Sequence, residues 1–102
     1  MKTLYATVGL PRSGKSTWAQ QTGLPIVCPD AIRVALHGEA FIALAEPYVW
    51  AIAHTMVRAL FGAGHAAVVL DACNTTKKRR AEWIMEGVIT RWVFFDADET
   101  TC

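Results

Sequence analysis

The hydrophobic positions of this chain follow two patterns that alternate along its length. Short apolar runs predict strands at 2–8, 26–28, 66–71 and 88–96. The stretches between them carry helical spacing or helix-start residues, and they predict helices at 14–21, 31–37, 47–61 and 75–87. Because strands alternate with helices, we expect βαβ units with a parallel sheet and right-handed crossovers.

The predicted architecture is a three-layer α/β/α domain over residues 1–102, with helices on both faces of the sheet. We expect a sheet of about four strands in the order 2-3-1-4. The first strand is placed at the centre because a glycine-rich loop follows its carboxyl end, where ligands bind in sheets of this class.

Local signals set the expected ends and faces of two helices. Asp30 occupies a good N-cap position for the helix 31–37, in which Ile32, Ala35 and Leu36 are expected to share the buried face. Thr75 or Thr76 is expected to cap the last helix, which is predicted to continue through Gly87.

A phosphate-binding loop is predicted where the first strand gives way to the first helix. The segment Gly9-Leu10-Pro11-Arg12-Ser13-Gly14-Lys15-Ser16-Thr17 has the spacing G-x-x-x-x-G-K-S/T, and its strand–loop–helix context separates it from an ordinary glycine-rich turn. In such loops the backbone N–H groups converge on an anion, the lysine contacts the β- and γ-phosphates and the serine ligates Mg²⁺. The predicted nucleotide-binding residues are Gly9, Pro11, Arg12, Ser13, Gly14, Lys15, Ser16 and Thr17.

Charged residues at the ends of the next two strands supply candidates for the chemistry. Asp71 is predicted to support Mg²⁺ together with Ser16, the alternative being an aspartate that caps a turn. Asp30 is a candidate general base for an acceptor hydroxyl, although an N-cap role would be compatible. Arg33 would hold an acidic group of the acceptor unless it is simply a solvated arginine.

Three segments in order resemble the polynucleotide 5′-kinase family of P-loop kinases. Residues 9–19 are similar to its G-x-P-x-S-G-K-S-T start, and Asp30-Ala31-Ile32-Arg33 is similar to its D-x-x-R. Residues 71–80 are similar to its D-x-x-N-x-x-x-x-R-R segment. The resemblance implies ATP and Mg²⁺ as cofactors, Lys15 and Asp30 as catalytic residues, and Arg33 as the ligand of a phosphate beside the attacked nucleoside.

The resemblance also has departures. In the family, a fifth strand and an arginine-bearing lid would follow the position of Cys102, which is the last residue of this sequence. We therefore expect the chain to be either a fragment or an unusually small member. Arg12 stands where the family often has glycine. Arg79 and Arg80 match the family pattern, but a solvated basic helix face explains them equally well. His54, on the same helix face as Trp50, is interpreted as a half-buried histidine without a catalytic role.

Composition narrows the class of protein. Hydrophobic residues make up 53% of the 102 positions and charged residues 19%, which excludes a disordered chain. The net charge of +1 provides no general attraction to nucleic acid or membrane. Cys28, Cys73 and Cys102 show no C-x-x-C spacing, which argues against a disulfide framework or zinc site. With no targeting or spanning segment in the sequence, we expect a cytoplasmic protein that does not engage membranes.

The sequence therefore predicts an ATP-dependent phosphotransferase whose preferred acceptor is the 5′-hydroxyl of a polynucleotide. A kinase for a small molecule such as a sugar, nucleoside or antibiotic is the first alternative, which the near-neutral charge slightly favours because polynucleotide binding usually requires a basic groove. A nucleotide-binding module without transfer activity is the second. The sequence leaves the oligomeric state open.

Overall fold

The computed structural model describes residues 2–9, 14–38, 42–74 and 76–95. Its strands are β1 (Lys2–Val8), β2 (Ile26–Val27), β3 (Ala67–Leu70) and β4 (Val88–Phe94). Its α-helices are α1 (Lys15–Gln21), α2 (Pro29–His37), α3 (Glu46–Gly62) and α4 (Lys77–Ala81), and a 3-10 turn at Ala43–Ala45 precedes α3.

The sheet has the strand order β2-β3-β1-β4, and every neighbouring pair is parallel. Leu4 of β1 lies opposite Val68 on one side and Thr90 on the other, so β1 is a central strand as predicted. The predicted order 2-3-1-4 and the three-layer α/β/α class are confirmed. Parallel pairing places the carboxyl ends of the strands at one edge, where β1, β2 and β3 each lead into a candidate site residue.

The core lies between the sheet and the long helix α3. One face of α3 is buried through residues at four-residue spacing, Val49, Ala53, Val57 and Phe61. These side chains belong to one hydrophobic cluster with Leu4 of β1, Val68 of β3 and the fully buried Trp83. Because α3 is held along its length, the polar residues at its amino end are fixed relative to the strand ends.

Helix α2 begins earlier than the sequence predicted. Its N-cap is Cys28 and Pro29 is its first residue, so Asp30 lies in the first turn and is not the N-cap. Proline is favoured at this position because its fixed φ suits a helix start and its missing N–H would be unpaired there. The expected buried face was also too wide, since Ile32 is buried but Ala35 and Leu36 are exposed.

Helix α4 is much shorter than predicted. It ends at Ala81, because the N–H groups of Glu82, Trp83 and Ile84 bond to carbonyls only three residues back and tighten the chain into turns. These turns deliver Trp83 to the core with no exposed surface. Of the two predicted caps, Thr76 is the one observed, since its Oγ1 accepts the N–H of Arg79.

Two further predictions concern the ends of elements. The last strand was expected to finish at Asp96, which lies outside the residues that the structure describes, whereas β4 ends at Phe94. Within the described ranges, no helix combines the length and the apolar character that crossing a bilayer requires.

Candidate active site

The loop that follows β1 is bounded by two glycines whose placement the structure describes. Gly9 donates its N–H to the carbonyl oxygen of Cys73 at 3.0 Å, which holds the start of the loop against the segment after β3. Gly14 is the N-cap of α1, and its φ of 92° is a backbone angle that residues with a Cβ rarely adopt. Of the predicted nucleotide-binding residues, Pro11, Arg12 and Ser13 lie outside the described residues.

A cluster of Lys15, Ser16 and Asp71 joins the first turn of α1 to the end of β3. The Ser16 hydroxyl donates to Asp71 Oδ2 at 2.8 Å, and Lys15 Nζ lies 3.7 Å from Asp71 Oδ1. The side chains of Lys15 and Asp71 are only 8% and 7% exposed. A charged pair this far from water is stable only when each partner is matched, so removing either one leaves an uncompensated charge. Thr17, on the same turn, is exposed.

A polar clamp that the sequence analysis missed fixes this cluster. Thr7, fully buried near the end of β1, donates its hydroxyl to the carbonyl of Ala72 at 2.7 Å and accepts the N–H of Ala72 at 3.0 Å. Asn74 Nδ2 donates to the carbonyl oxygen of Thr7 at 2.8 Å. The available signal was the threonine itself, a hydroxyl inside an otherwise apolar strand, which must find partners when buried.

Beside this cluster the structure contains a cavity of about 230 Å³ between α2, α3, α4 and the segment after β3. It is lined by Pro29, Asp30, Arg33, Trp50, Asp71, Ala72, Cys73, Asn74, Thr76 and Arg79. Two of the predicted acidic residues, Asp30 and Asp71, therefore border one space, as their positions at neighbouring strand ends indicated.

An ion-pair network forms the wall of the cavity made by α2 and α3. The Arg33 guanidinium binds Glu46 through two hydrogen bonds, Nε to Oε2 at 2.8 Å and Nη2 to Oε1 at 2.6 Å. Its Nη1 also donates to Asp30 Oδ1. The hydrogen bonds to Glu46 raise the pKa of Arg33, and those from Arg33 lower the pKa of Glu46, which keeps both side chains charged.

The network changes how Arg33 is understood. The simple alternative of a solvated arginine is excluded for this structure, because the side chain is 21% exposed and is held by two carboxylates. Local patterns could not predict Glu46 as the main partner of Arg33, since Glu46 lies 13 positions away on another helix. Asp30 itself is 77% exposed, which leaves it accessible to an acceptor.

An aromatic side chain, Trp50 of α3, also lines the cavity. The Arg79 guanidinium lies over the Trp50 ring, with its carbon 3.9 Å from the ring centroid, and Trp50 meets the buried Trp83 edge to face at 6.3 Å. His54 stacks on Trp83 at 3.9 Å. Burial, reinforced by the charge of Arg58, lowers the pKa of His54 and favours its neutral form.

The two arginines of the basic segment have different surroundings. Arg79 borders the cavity and pairs with Glu82 at 2.7 Å, whereas Arg80 donates to the carbonyl oxygen of Asn74 at 3.1 Å. Arg80 therefore helps to hold the segment after β3. Neither residue is purely part of a solvated helix face.

The oxygen atoms at the end of β3 suit a magnesium ion. Asp71 Oδ1 is buried and makes no hydrogen bond within the described part of the chain. The other carboxylate oxygen, Oδ2, accepts a hydrogen bond from the Ser16 hydroxyl. Mg²⁺ prefers such oxygen ligands and commonly combines one or two protein groups with substrate phosphates. No group of three or more His, Cys, Asp or Glu side chains among the described residues is arranged to hold a metal alone.

Solved structures with similar folds include two of the Pnkp1/Rnl/Hen1 complex, one of them described as an RNA repair complex. Each is 24% identical to this chain and covers 94% of it, with TM-scores of 0.84 and 0.82. The chain spans only 36% and 33% of those matched chains, about a third of their length. A mutant of the Mycobacterium tuberculosis APS kinase CysC is 22% identical with a TM-score of 0.65, and the match covers 94% of this chain and 76% of that one.

At these identities the structural matches show the fold, which is that of P-loop kinases. No curated protein matches the chain. The family model described as AAA domain matches residues 4–102, almost the entire sequence. The chain therefore belongs to the AAA domain family and has a P-loop kinase-like fold.

Proposed function

We propose that this domain transfers the γ-phosphate of ATP to the 5′-hydroxyl of a polynucleotide. One observation carries the proposal: Asp71, whose carboxylate contacts both Lys15 and Ser16, lines the same cavity as Asp30. Phosphoryl transfer needs a group that binds phosphates and a group that accepts the proton of the attacking hydroxyl, placed side by side.

On the nucleotide side, Lys15 exchanges its contact with Asp71 for the β- and γ-phosphates. Its ammonium then stabilises the charge that develops on the transferred phosphoryl group. Ser16 and Asp71 would hold Mg²⁺, which supplies charge neutralisation on the phosphate oxygens. Thr7 and Asn74 keep Asp71 in place through the bonds that join the ends of β1 and β3.

On the acceptor side, Asp30 takes the proton from the attacking hydroxyl. Its exposed carboxylate can reach a substrate, and its contact with Arg33 orients one oxygen. Glu46 holds the Arg33 guanidinium at the cavity wall, where a phosphate of the acceptor could share Nη1 with Asp30.

The choice of a polynucleotide acceptor is supported by the order of three motifs and by likeness to structures of an RNA repair complex. A different observation favours a small-molecule acceptor: the chain is nearly neutral, at +1, and the APS kinase match covers 76% of that enzyme. The two classes of acceptor predict a different dependence of the acceptor KM on salt concentration. The acceptor KM should rise steeply with salt for a polynucleotide and little for a neutral metabolite.

Transfer of label from γ-labelled ATP to 5′-hydroxyl oligonucleotides and to small alcohols tests the proposal. With oligonucleotides, Asp30→Asn should lower kcat about 10²- to 10⁴-fold while leaving the KM for ATP nearly unchanged. Glu86→Gln, an exposed carboxylate outside the cavity, is the matched control and should behave like the unmodified chain.

Full activity of Asp30→Asn would show that another group is the base. Label found only in small alcohols would support the small-molecule alternative. Tight ATP binding without label in any acceptor would identify a nucleotide-binding module that does not catalyse transfer.

A further inference from the structure

Trp50 lines the cavity that is also bordered by Asp30 and Arg33. It is only partly buried, and its ring lies 6.0 Å from the Arg33 guanidinium. Glu46, one helical turn earlier on α3, anchors that guanidinium. A large flat apolar surface thus lies next to the groups that we assign to the acceptor.

Packing against Trp83 holds the Trp50 ring in position. Its ring meets Trp83 edge to face, Trp83 has no exposed surface, and His54 stacks on Trp83 with the rings only 7° from parallel. A ring supported in this way keeps its orientation without a ligand. Preorganised aromatic surfaces of this kind bind planar groups at low entropic cost.

The contact between Trp50 and Arg79, by contrast, is partly exposed to solvent. The planar guanidinium of Arg79 lies over the ring at 3.9 Å, and its other side-chain partner is Glu82, whose side chain is 36% exposed. Cation–π contacts and ion pairs at such exposed positions contribute little and exchange readily. The Arg79 guanidinium therefore occupies a stacking position that a better planar group can take.

We infer that Trp50 is the stacking platform for the base of the acceptor's 5′-terminal nucleoside, and that this base takes the place now held by Arg79. Stacking of a nucleobase on an aromatic side chain is stronger than the exposed contact that it displaces, and it tolerates any base because every base has a π-face. The inference rests on the proposed function and makes it more specific: the acceptor carries a planar base, and Trp50 is a specificity-determining residue.

The test compares two 5′-hydroxyl tetranucleotides that differ only in the presence of the base on the first nucleotide. Binding of the fluorescently labelled forms is measured by anisotropy, independently of transfer. The unmodified chain should bind the base-bearing form about 5- to 150-fold more tightly than the abasic form. This ratio cancels the contacts that both forms share, including those to phosphates.

Variants then assign the preference to the platform. Trp50→Leu should reduce the ratio to about one, and Trp50→Phe should retain much of it. Tyr48→Leu removes an exposed aromatic ring two residues away that lines a different hollow, and it should leave the ratio unchanged. Arg79→Ala should raise the ratio about two- to fivefold, because the base no longer competes with the guanidinium.

ATP affinity of each variant, measured with a fluorescent ATP analogue, separates loss of the platform from loss of the fold. Equal binding of base-bearing and abasic forms by the unmodified chain would overturn the inference, and so would an unchanged ratio in Trp50→Leu. A ratio that is unchanged or lower in Arg79→Ala would overturn the exchange of positions. Failure of this inference can be told apart from failure of the proposed function. Base-dependent binding is measurable without transfer, and transfer without a base preference would leave the proposed function intact.

Discussion

Two neighbouring regions of the site are built in different ways. The phosphate cluster consists of Lys15, Ser16 and Asp71, and the acceptor cavity is the space lined by Asp30, Arg33 and Trp50. Lys15 and Asp71 are almost fully buried, and hydrogen bonds of Gly9 and Thr7 join the end of β1 to the segment that follows Asp71. Apart from the segment after β3, the cavity is walled by mostly partly exposed side chains from α2, α3 and α4 that contact one another through charge and stacking. Binding of phosphates thus depends on the sheet, whereas selection of the acceptor depends on contacts between helices.

This difference has a functional consequence. Substitutions in the cavity walls should change which acceptor is used at less cost to the fold, because losing a partly exposed ion pair or stacked cation costs less than leaving a buried charge unpaired. Substitutions in the phosphate cluster should impair the chemistry for every acceptor, because they remove or displace buried charge. Four variants examine the two regions in turn.

The largest effect is expected for Lys15→Ala. Loss of the ammonium should lower kcat/KM by more than about 10³-fold for any acceptor, since Lys15 is the residue that we propose to stabilise the charge on the transferred phosphoryl group. Steady-state kinetics with γ-labelled ATP measures it. Lys2→Ala, at the far end of β1, is the control and should retain activity. Substantial transfer by Lys15→Ala would remove the phosphate cluster from the mechanism.

Thr7→Val tests whether the clamp supports the cluster. The substitution keeps the shape but leaves the buried N–H of Ala72 without its partner, so the free energy of unfolding should fall by about 1–3 kcal/mol. Chemical denaturation measures this loss, and the affinity for ATP should weaken as well. Thr55→Val, whose hydroxyl is exposed on α3, should change stability much less. Equal losses in both variants would contradict a special role for Thr7.

Glu46→Gln tests the wall between α2 and α3. Without the carboxylate charge Arg33 loses its anchor, and the acceptor KM should rise about tenfold while the KM for ATP stays constant, the expected cost being about one charged hydrogen bond. Arg33 lowers the pKa of Glu46, so this pair stabilises the fold above the ordinary Glu pKa of 4.5 and its contribution is lost as the pH falls below that value.

The acid-range loss of stability should therefore be smaller in Glu46→Gln than in the unmodified chain, as measured by denaturation at several pH values. Glu86→Gln, in an exposed turn, is the matched control for both measurements. If the KM for ATP changed as much as the acceptor KM, the two regions would not be separate.

The smallest effect is expected for His54→Phe, which preserves stacking on Trp83 and removes the titration. Burial holds the pKa of His54 below its ordinary 6.5, so the neutral form stabilises the fold above that pH and the contribution is lost as the pH falls through the lowered value. Melting temperatures of the unmodified chain should fall between pH 7 and 5 by slightly more than those of His54→Phe. Substitution of the exposed His65 by Gln should leave that pH dependence in place.

The two regions also differ in how much of them the sequence predicted. The loop after β1 and the carboxylate at the end of β3 followed from short-range patterns, because residues close together in sequence stay close together in space. The strand order followed from the expected fold class and not from any local pattern. The roles assigned to Asp30 and Arg33 remain predictions, although both border the cavity. The partners Glu46 and Trp50 could not be predicted, since they come from another helix.

Two errors in the helices have the same origin. Helix α4 was predicted to reach Gly87 but ends at Ala81, because burying Trp83 required the chain to turn. The buried face of α2 is narrower than expected because Ile32 enters the hydrophobic cluster, whereas Ala35 and Leu36 stay exposed. Local propensity describes what a segment can form, and tertiary packing decides where it stops.

The sequence alone determined the alternation of strands and helices, the spacing of the phosphate-binding loop and the acidic residues at the strand ends. These are local properties of backbone geometry and hydrophobic spacing. The tertiary structure decided that Arg33 is held by Glu46 and that Trp50 faces the cavity with Arg79 above it. The physical reason is that ion pairs and stacked rings depend on side chains converging from distant segments, which the packing of α3 against the sheet brings about.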